Sequence, residues 1–303
     1  MRLADRAIGP GEGVFISAEL GVTPNGDIRR AMALIDICAD AGCDAAKFIC
    51  TNPDKIMGAR DVMFTYQGPV LTTGNPAHRA FGPITRPIYD LLKETTFTFD
   101  EWHTLKSYCD MQGVVFYATV DHLDAVDLME SLGAPAYKIC AWDIAYTDLI
   151  ERVRKTSKPI LVDVGAATRK EVVEAIPVTD YGEQHLFIHA PHPINGADWN
   201  LSRVSGFFQA AYPFGFSSPG RESWCDFVAL GGGASLLEKR VTLRRDDPTG
   251  HHHAVSLEPA EFKAWVAQVR QAEAALREEP FENSPEAWAE RKKWGRGPDG
   301  RRP

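Results

Sequence analysis

The chain has 303 residues, 44% of them hydrophobic and 24% charged, with no apolar run long enough to span a bilayer. That balance excludes a disordered chain and a helical membrane protein, and it leaves a soluble globular protein with ample material for a core. A formal net charge of −8 argues against a phosphate-backbone footprint, so nucleic acid is not an expected partner. Six cysteines at 38, 43, 50, 109, 140 and 225 lack CxxC spacing. Neither a zinc ribbon nor a disulfide scaffold is indicated, and a reducing cytoplasm is the expected compartment. The first residues, MRLADRAIGPGEG, are too polar and Gly/Pro-rich for a signal-peptide core, and no membrane partner is expected.

In chain order, Val14–Ala18 reads as a strand, and Asp27–Ala41 follows with Ala31, Leu34, Ile35 and Cys38 on one helical face. A second strand reads at Ala45–Ile49. The segment 51–98 then breaks the rhythm. Its Asn-Pro, Gly-Pro and Arg-Pro turns leave only short helical stretches, and it is far longer than an ordinary strand-to-helix loop. Beyond it come a helix at Asp100–Met111, a strand at Val114–Thr119, a helix at Ala125–Leu132 and strands at Ala136–Cys140 and Ile160–Asp163. Strands at His185–His189, Tyr212–Ser217 and Ser235–Lys239 and a helix at Pro259–Arg277 complete the pattern.

Eight short strands, apolar on both faces and alternating with helices, imply an α/β fold of (β/α)8 TIM-barrel type over residues 1–279. On that fold, 51–98 follows the second strand onto the C-terminal rim, as a lid or a subunit contact. The competing architecture is an open doubly wound sheet. It ordinarily carries GxGxxG after a strand, and none is present, so no nucleotide cofactor is expected. Gly231–Gly233 reads as a helix stop. The polar, basic tail 280–303 reads as a frayed terminus without function.

Polar residues ending barrel strands carry the most weight, because that face hosts the chemistry. Here they are Glu19, Lys47, Thr119, Lys138, Asp163, His189, Ser217 with Ser218, and Glu238 with Lys239. A lysine inside AAKFI or AYKIC must snorkel, pair with a carboxylate or meet an anionic ligand, since burying a lone ammonium is expensive. Lys47 and Lys138 at two strand ends therefore suggest an anion site. The plainer reading pairs them with Glu19, Asp163 or Glu238 in a structural network, and a third makes one of them an imine former. The run IHAPHP suggests His189 and His192 near the barrel axis, suited to a borderline metal. His185 reads as structural, and His251–His253 divides evenly between a solvated loop and a functional one.

At these residues the chain resembles the sialic acid synthase (N-acetylneuraminate synthase) family. The matching segments, in family order, are Ser17–Gly21 with Asn25–Asp27, Ala41–Phe48, Leu132–Ile139, Lys158–Leu161 with Gly165, His189, Leu236–Leu243, and Gly250 through Leu257. The resemblance implies a barrel that condenses phosphoenolpyruvate with an aldehyde sugar acceptor to give a 2-keto acid. It gives Glu19 acid–base or acceptor-positioning work, Lys47 and Lys138 the phosphoenolpyruvate, and His189 a divalent manganese or magnesium ion to hold or a proton to donate; whether His192 of the IHAPHP run or the His251–His253 loop supplies a second ligand stays open. Asn25, Thr119, Asp163, Ser217, Glu238 and Arg240 are the expected substrate-binding residues.

The chain departs from the family at several of these points. Pro219 stands where a second metal histidine is usual, Thr23-Pro24 replaces Asn-His, Arg240 replaces a His, and Ala141 and Asp163 replace hydroxyls that help hold phosphate. An aspartate in a phosphate pocket repels its ligand unless protonated or metal-bound. Only about 25 residues follow the last barrel helix, so the family's antifreeze-like domain is not expected. The swapped dimer that the domain supports does not carry over, and a homo-oligomer of another kind stays open. A specialised biosynthetic acceptor fits these departures better than sialic acid itself. Two further readings compete with the synthase: a repurposed aldolase or lyase acting on another enol or keto acid, and a non-catalytic scaffold.

Overall fold

The computed structural model describes residues 1–71, 79–172, 174, 184–191, 199–209, 213–276, 284–299 and 301–302. Eight strands close into a parallel barrel in which every strand pairs with its neighbours in sequence. They are β1 (Phe15–Glu19), β2 (Ala45–Cys50), β3 (Val115–Val120), β4 (Tyr137–Ile139), β5 (Ile160–Asp163), β6 (His185–His189), β7 (Phe214–Ser217) and β8 (Leu236–Arg240). The expected strands lie within a residue or two of these bounds, and β8 pairs with β1 to close the ring. The TIM-barrel reading therefore holds.

Strand parity divides the core in two. Phe15, Ala45, Tyr117, Leu161, Leu186, Ile188 and Leu236 pack together inside the barrel, with Leu3 and Ile8 of the amino-terminal segment against their lower end. The alternate residues, among them Ile16, Ala46, Phe48, Phe116, Val162, Phe187 and Phe216, pack against the surrounding helices. The helix Ile28–Ala41 shows why the sequence folds this way. Asp27 caps its first turn, Ala31, Leu34, Ile35 and Cys38 are buried, and Gly42 ends it in the left-handed conformation at φ 73°.

Two segments differ from expectation. Between β2 and the helix Phe99–Gln112, residues Met63–Leu71 and Arg79–Pro87 pair as a two-stranded antiparallel ribbon, followed by the helix Ile88–Glu94. Pro69 and Pro83 argued against strands there, but each strand of a two-stranded ribbon has an open edge where proline is tolerated. At the other end, Pro285–Trp294 is a helix with Ser284 accepting from the Ala287 amide and no buried residue. Proline at its first turn, Glu286 early and Arg291, Lys292 and Lys293 late are favourable local helix signals. No helix among the described residues is long and apolar enough to cross a membrane.

Candidate active site

The register sets a tier of polar side chains above the apolar floor. Glu19 lies opposite Lys47, Lys47 opposite Tyr117, Thr119 opposite Lys138, Ser217 opposite Glu238, and Arg240 opposite Glu19. Parity turns all of these, and Asp163, toward the axis at the C-terminal mouth. Lys47, Lys138, Asp163 and Glu238 are each at most 4% exposed. Ions buried this deeply persist only when paired, and the structure shows the pairs.

Lys47 donates to Glu19 Oε2, and Glu19 Oε1 accepts from the Gly21 amide at 2.6 Å. Lys138 donates to Glu238 Oε1 at 2.6 Å, and the Ser217 hydroxyl donates to the same oxygen at 2.7 Å. Tyr117 reaches Glu238 Oε2 at 3.4 Å and the Ser17 hydroxyl at 2.8 Å. Tyr117 and Ser17 had not been singled out from the sequence. Each shares strand parity with a residue that was, Thr119 and Glu19, and that alternation was the available signal.

The charges act on one another. Burial alone would raise the Glu238 carboxyl, but Lys138 and Lys47 hold it down at about 2. Burial alone would lower the Lys138 ammonium, yet Glu238 and Asp163 raise it above its ordinary value. For Lys47 burial wins over the pull of Glu238 and, with Lys138 and Arg240 nearby, brings it down to about 7. Burial lifts Asp163 to about 6 against the opposing effects of Lys138 and the Gly165 amide, which donates to Asp163 Oδ1 at 2.8 Å. Thr119 Oγ1, 5% exposed as a residue, has no hydrogen-bond partner among the described residues.

The rim above β8 and β1 is closed by the loop after β8 and the ribbon. His251 and His253 are each 4% exposed, which sets aside the solvated-loop alternative for these two residues. His253 bridges the Thr242 hydroxyl and the Thr249 carbonyl, both at 2.7 Å. His251 packs against Phe64 and Tyr66 at ring distances of 5.8 and 6.0 Å, and burial, with Arg240 close by, lowers it to about 4. Asn25 joins this wall. Its Oδ1 is buried without a partner among the described residues, and a β-carbon on Gly250 would come within 2.8 Å of it.

A model of the NeuB family matches residues 34–280. The chain belongs to the NeuB family. Among curated relatives, the spore coat polysaccharide biosynthesis protein SpsE of Bacillus subtilis is 29% identical over 288 residues, covering 91% of this chain and 72% of that protein. The N,N'-diacetyllegionaminic acid synthase of Campylobacter jejuni is 27% identical over 271 residues, covering 86% and 77%. A crystal structure of N-acetylneuraminic acid (sialic acid) synthetase from Leptospira borgpetersenii, in complex with citrate, matches with a TM-score of 0.81. That match covers 96% of this chain and 94% of the other at 23% identity, and it shows the shared fold.

Against the NeuB pattern, His189 needs correction. Parity places it with Phe187 on the helix-facing side of β6, not toward the axis. Its Nε2 donates to the Trp199 carbonyl at 2.8 Å, and its ring lies 6.0 Å from Phe216. Nδ1 is thereby left as a buried lone pair with no partner among the described residues, one donor of the kind a metal takes. His192 lies outside the described residues. Among the described residues no three His, Cys, Asp or Glu side chains are arranged to hold a metal, and Pro219 offers only its carbonyl, which accepts from Arg240 at 3.2 Å. The described side chains do not fit the expected metal, and no step below passes through one.

Lys239 also faces outward. It donates to Asp226, Ser218 and the Glu222 carbonyl at 2.7–2.9 Å, while Trp265 donates to the same Asp226 oxygen at 2.9 Å. Of the three consecutive charges ending β8, Glu238 and Arg240 belong to the mouth and Lys239 to the packing of the helices.

Proposed function

We propose that this NeuB-family protein is a carbon–carbon bond-forming synthase that condenses phosphoenolpyruvate with an aldehyde, sugar-like acceptor to give a 2-keto acid. The observation that carries the reading is the pair Lys47 and Lys138. Both are buried, both project from barrel strands toward the axis, and both act on the same carboxylate, Glu238. Cations fixed in this way bind oxyanions with little reorganisation.

In this reading Lys47 and Lys138 hold the carboxylate and phosphate of the donor, and the unpartnered Thr119 hydroxyl adds a hydrogen bond. Glu19, fixed by Lys47 and the Gly21 amide, orients the acceptor. The enol C3 attacks the aldehyde carbon, and the carbonyl oxygen takes a proton to become a hydroxyl. Water adds at the cationic C2, and loss of inorganic phosphate leaves the keto group. Arg240, alongside Glu19, supplies positive charge near the oxygen that becomes negative. The cytoplasm is the compartment that fits this chemistry.

Calorimetric titration with phosphoenolpyruvate, with and without manganese, tests the donor site without requiring the acceptor. Binding at micromolar strength is expected, and no binding under either condition overturns the reading. One observation favours a second reading. A lysine brought down to about 7 is about half free amine at neutral pH, which suits Lys47 to imine formation with a keto acid. Borohydride trapping with pyruvate separates the two, because only the imine route adds mass at Lys47.

A further inference from the structure

Pro219 and Arg240 stand at two positions that the family resemblance gives to histidines. The structure joins them, since Arg240 donates to the Pro219 carbonyl at 3.2 Å. One departure removes an imidazole, and the other exchanges an imidazole for a guanidinium. Together they do more than delete metal ligands. They place a permanent positive charge in the mouth, because a guanidinium does not give up its proton in a protein.

Arg240 is fixed by its strand. Its backbone pairs with Glu19 of β1, its carbonyl accepts from the Leu257 amide at 2.9 Å, and parity with Glu238 turns its partly exposed side chain to the axis. It forms no salt bridge among the described residues, and with the Pro219 carbonyl as its acceptor most of its N–H groups are left for a ligand. The neighbouring carboxylates are committed elsewhere, Glu19 to Lys47 and the Gly21 amide, Glu238 to Lys138 and Ser217. A divalent ion entering here would meet Lys47, Lys138 and Arg240 together, and would have to take a carboxylate from one of the lysines.

Resting on the phosphoenolpyruvate reading of the mouth, we propose that Arg240 takes the place of the metal, so that the condensation needs no divalent ion. The aldehyde oxygen of the acceptor accepts from the guanidinium. As the enol π pair of the donor forms the bond from C3 to the aldehyde carbon, the carbonyl π pair moves onto that oxygen. Arg240 holds the resulting charge by hydrogen bonds without losing its own proton, and solvent supplies the proton that completes the hydroxyl. Glu19, opposite Arg240 in the register, orients the same molecule. A donor fixed on a strand end meets developing charge with little reorganisation, which is the electrostatic work a Lewis acid otherwise performs.

The test starts from the full chain stripped of metal with a chelator, dialysed, and titrated with manganese under electron paramagnetic resonance, with and without phosphoenolpyruvate. After correction for manganese held by phosphoenolpyruvate itself, no site tighter than about 1 mM is expected. One equivalent bound at micromolar strength overturns the proposal. Calorimetry with phosphoenolpyruvate separates this from the donor reading: binding only when manganese is present overturns the proposal and leaves the donor site standing, whereas no binding in either condition removes the donor reading, and this proposal with it. Phosphate release from phosphoenolpyruvate with a panel of aldoses then follows catalysis in the chelator. Turnover should persist there, Arg240→Met should lower kcat about 100-fold beyond any change in KM for phosphoenolpyruvate, and Arg240→Lys should recover part of the loss. Turnover that requires manganese, or Arg240→Met turning over as the wild type does, overturns the proposal. Where no aldose turns over, the manganese titration decides.

Discussion

Replacing Asp226 with Asn tests whether Lys239 is structural. Both side chains are fully buried, with Nζ 2.8 Å from Asp226 Oδ2, and Trp265 donates to the same oxygen. Asn retains the shape and an accepting oxygen but removes the charge, leaving a buried ammonium with only neutral acceptors. Breaking one side of a buried pair costs about 3–5 kcal/mol. In a chain of this size that corresponds to a fall of about 6–10 °C in Tm, at about 2 °C per kcal/mol. Scanning calorimetry measures it, and the double variant Lys239→Met/Asp226→Leu should recover most of the loss, because an apolar pair of similar volume replaces both charges. Phosphoenolpyruvate affinity should stay within about twofold in each folded variant. A Tm within about 2 °C of wild type for Asp226→Asn would refute the claim that the ionised pair clamps the Trp224–Gly231 and Pro259–Ala275 helices to β8.

Three further outcomes follow from the mouth and rim. Lys138→Ala should weaken phosphoenolpyruvate binding at least 100-fold by calorimetry, and unchanged affinity would remove Lys138 from the site. Glu238 lies at about 2 in the folded protein against an ordinary 4.5, so its stabilisation is present above about pH 4.5 and is lost as pH falls through 2. Urea unfolding across that window should show up to about 3 kcal/mol lost in the wild type and a flatter profile in Glu238→Gln. His251 lies at about 4 against 6.5, so the unfolded chain binds the proton first and stability falls as pH drops from 6.5 toward 4. His251→Phe should flatten that interval, and an unchanged slope would show that this ring is not held neutral by its surroundings.

The barrel was legible because its strands are short, apolar on both faces and separated by helical periods, and only a closed or doubly covered parallel sheet buries such strands. The mouth was legible for a related reason: a lysine within an apolar strand must have a partner. Period-two alternation, applied strictly, would have gone further. It puts Tyr117 with Thr119, and it assigns His189 with Phe187 and Lys239 with Leu237 to the outer face. His251 and His253 were less readable, since three consecutive polar residues resemble solvent-exposed loop. Their burial comes from Phe64 and Tyr66 on the ribbon, a contact across nearly two hundred residues that no local pattern announces. The ribbon itself was hidden by Pro69 and Pro83, which are compatible with strands only where an edge is open.

The end of β8 shows how the barrel separates stability from chemistry. Glu238, Lys239 and Arg240 are consecutive, yet Lys239 alone meets a full set of fixed outward partners, Asp226, Ser218 and the Glu222 carbonyl. That set has no reason to open, and its loss registers in folding. Inward, Glu238 shares one oxygen between Lys138 and Ser217, while Arg240 donates to the Pro219 carbonyl and forms no salt bridge among the described residues. An anion entering the mouth can therefore gain contacts with Lys138 and Arg240 without disturbing the Lys239 clamp. Stability and donor binding should accordingly separate along this single strand: outward substitutions move Tm with little change in affinity, and Arg240→Met moves affinity with little change in Tm.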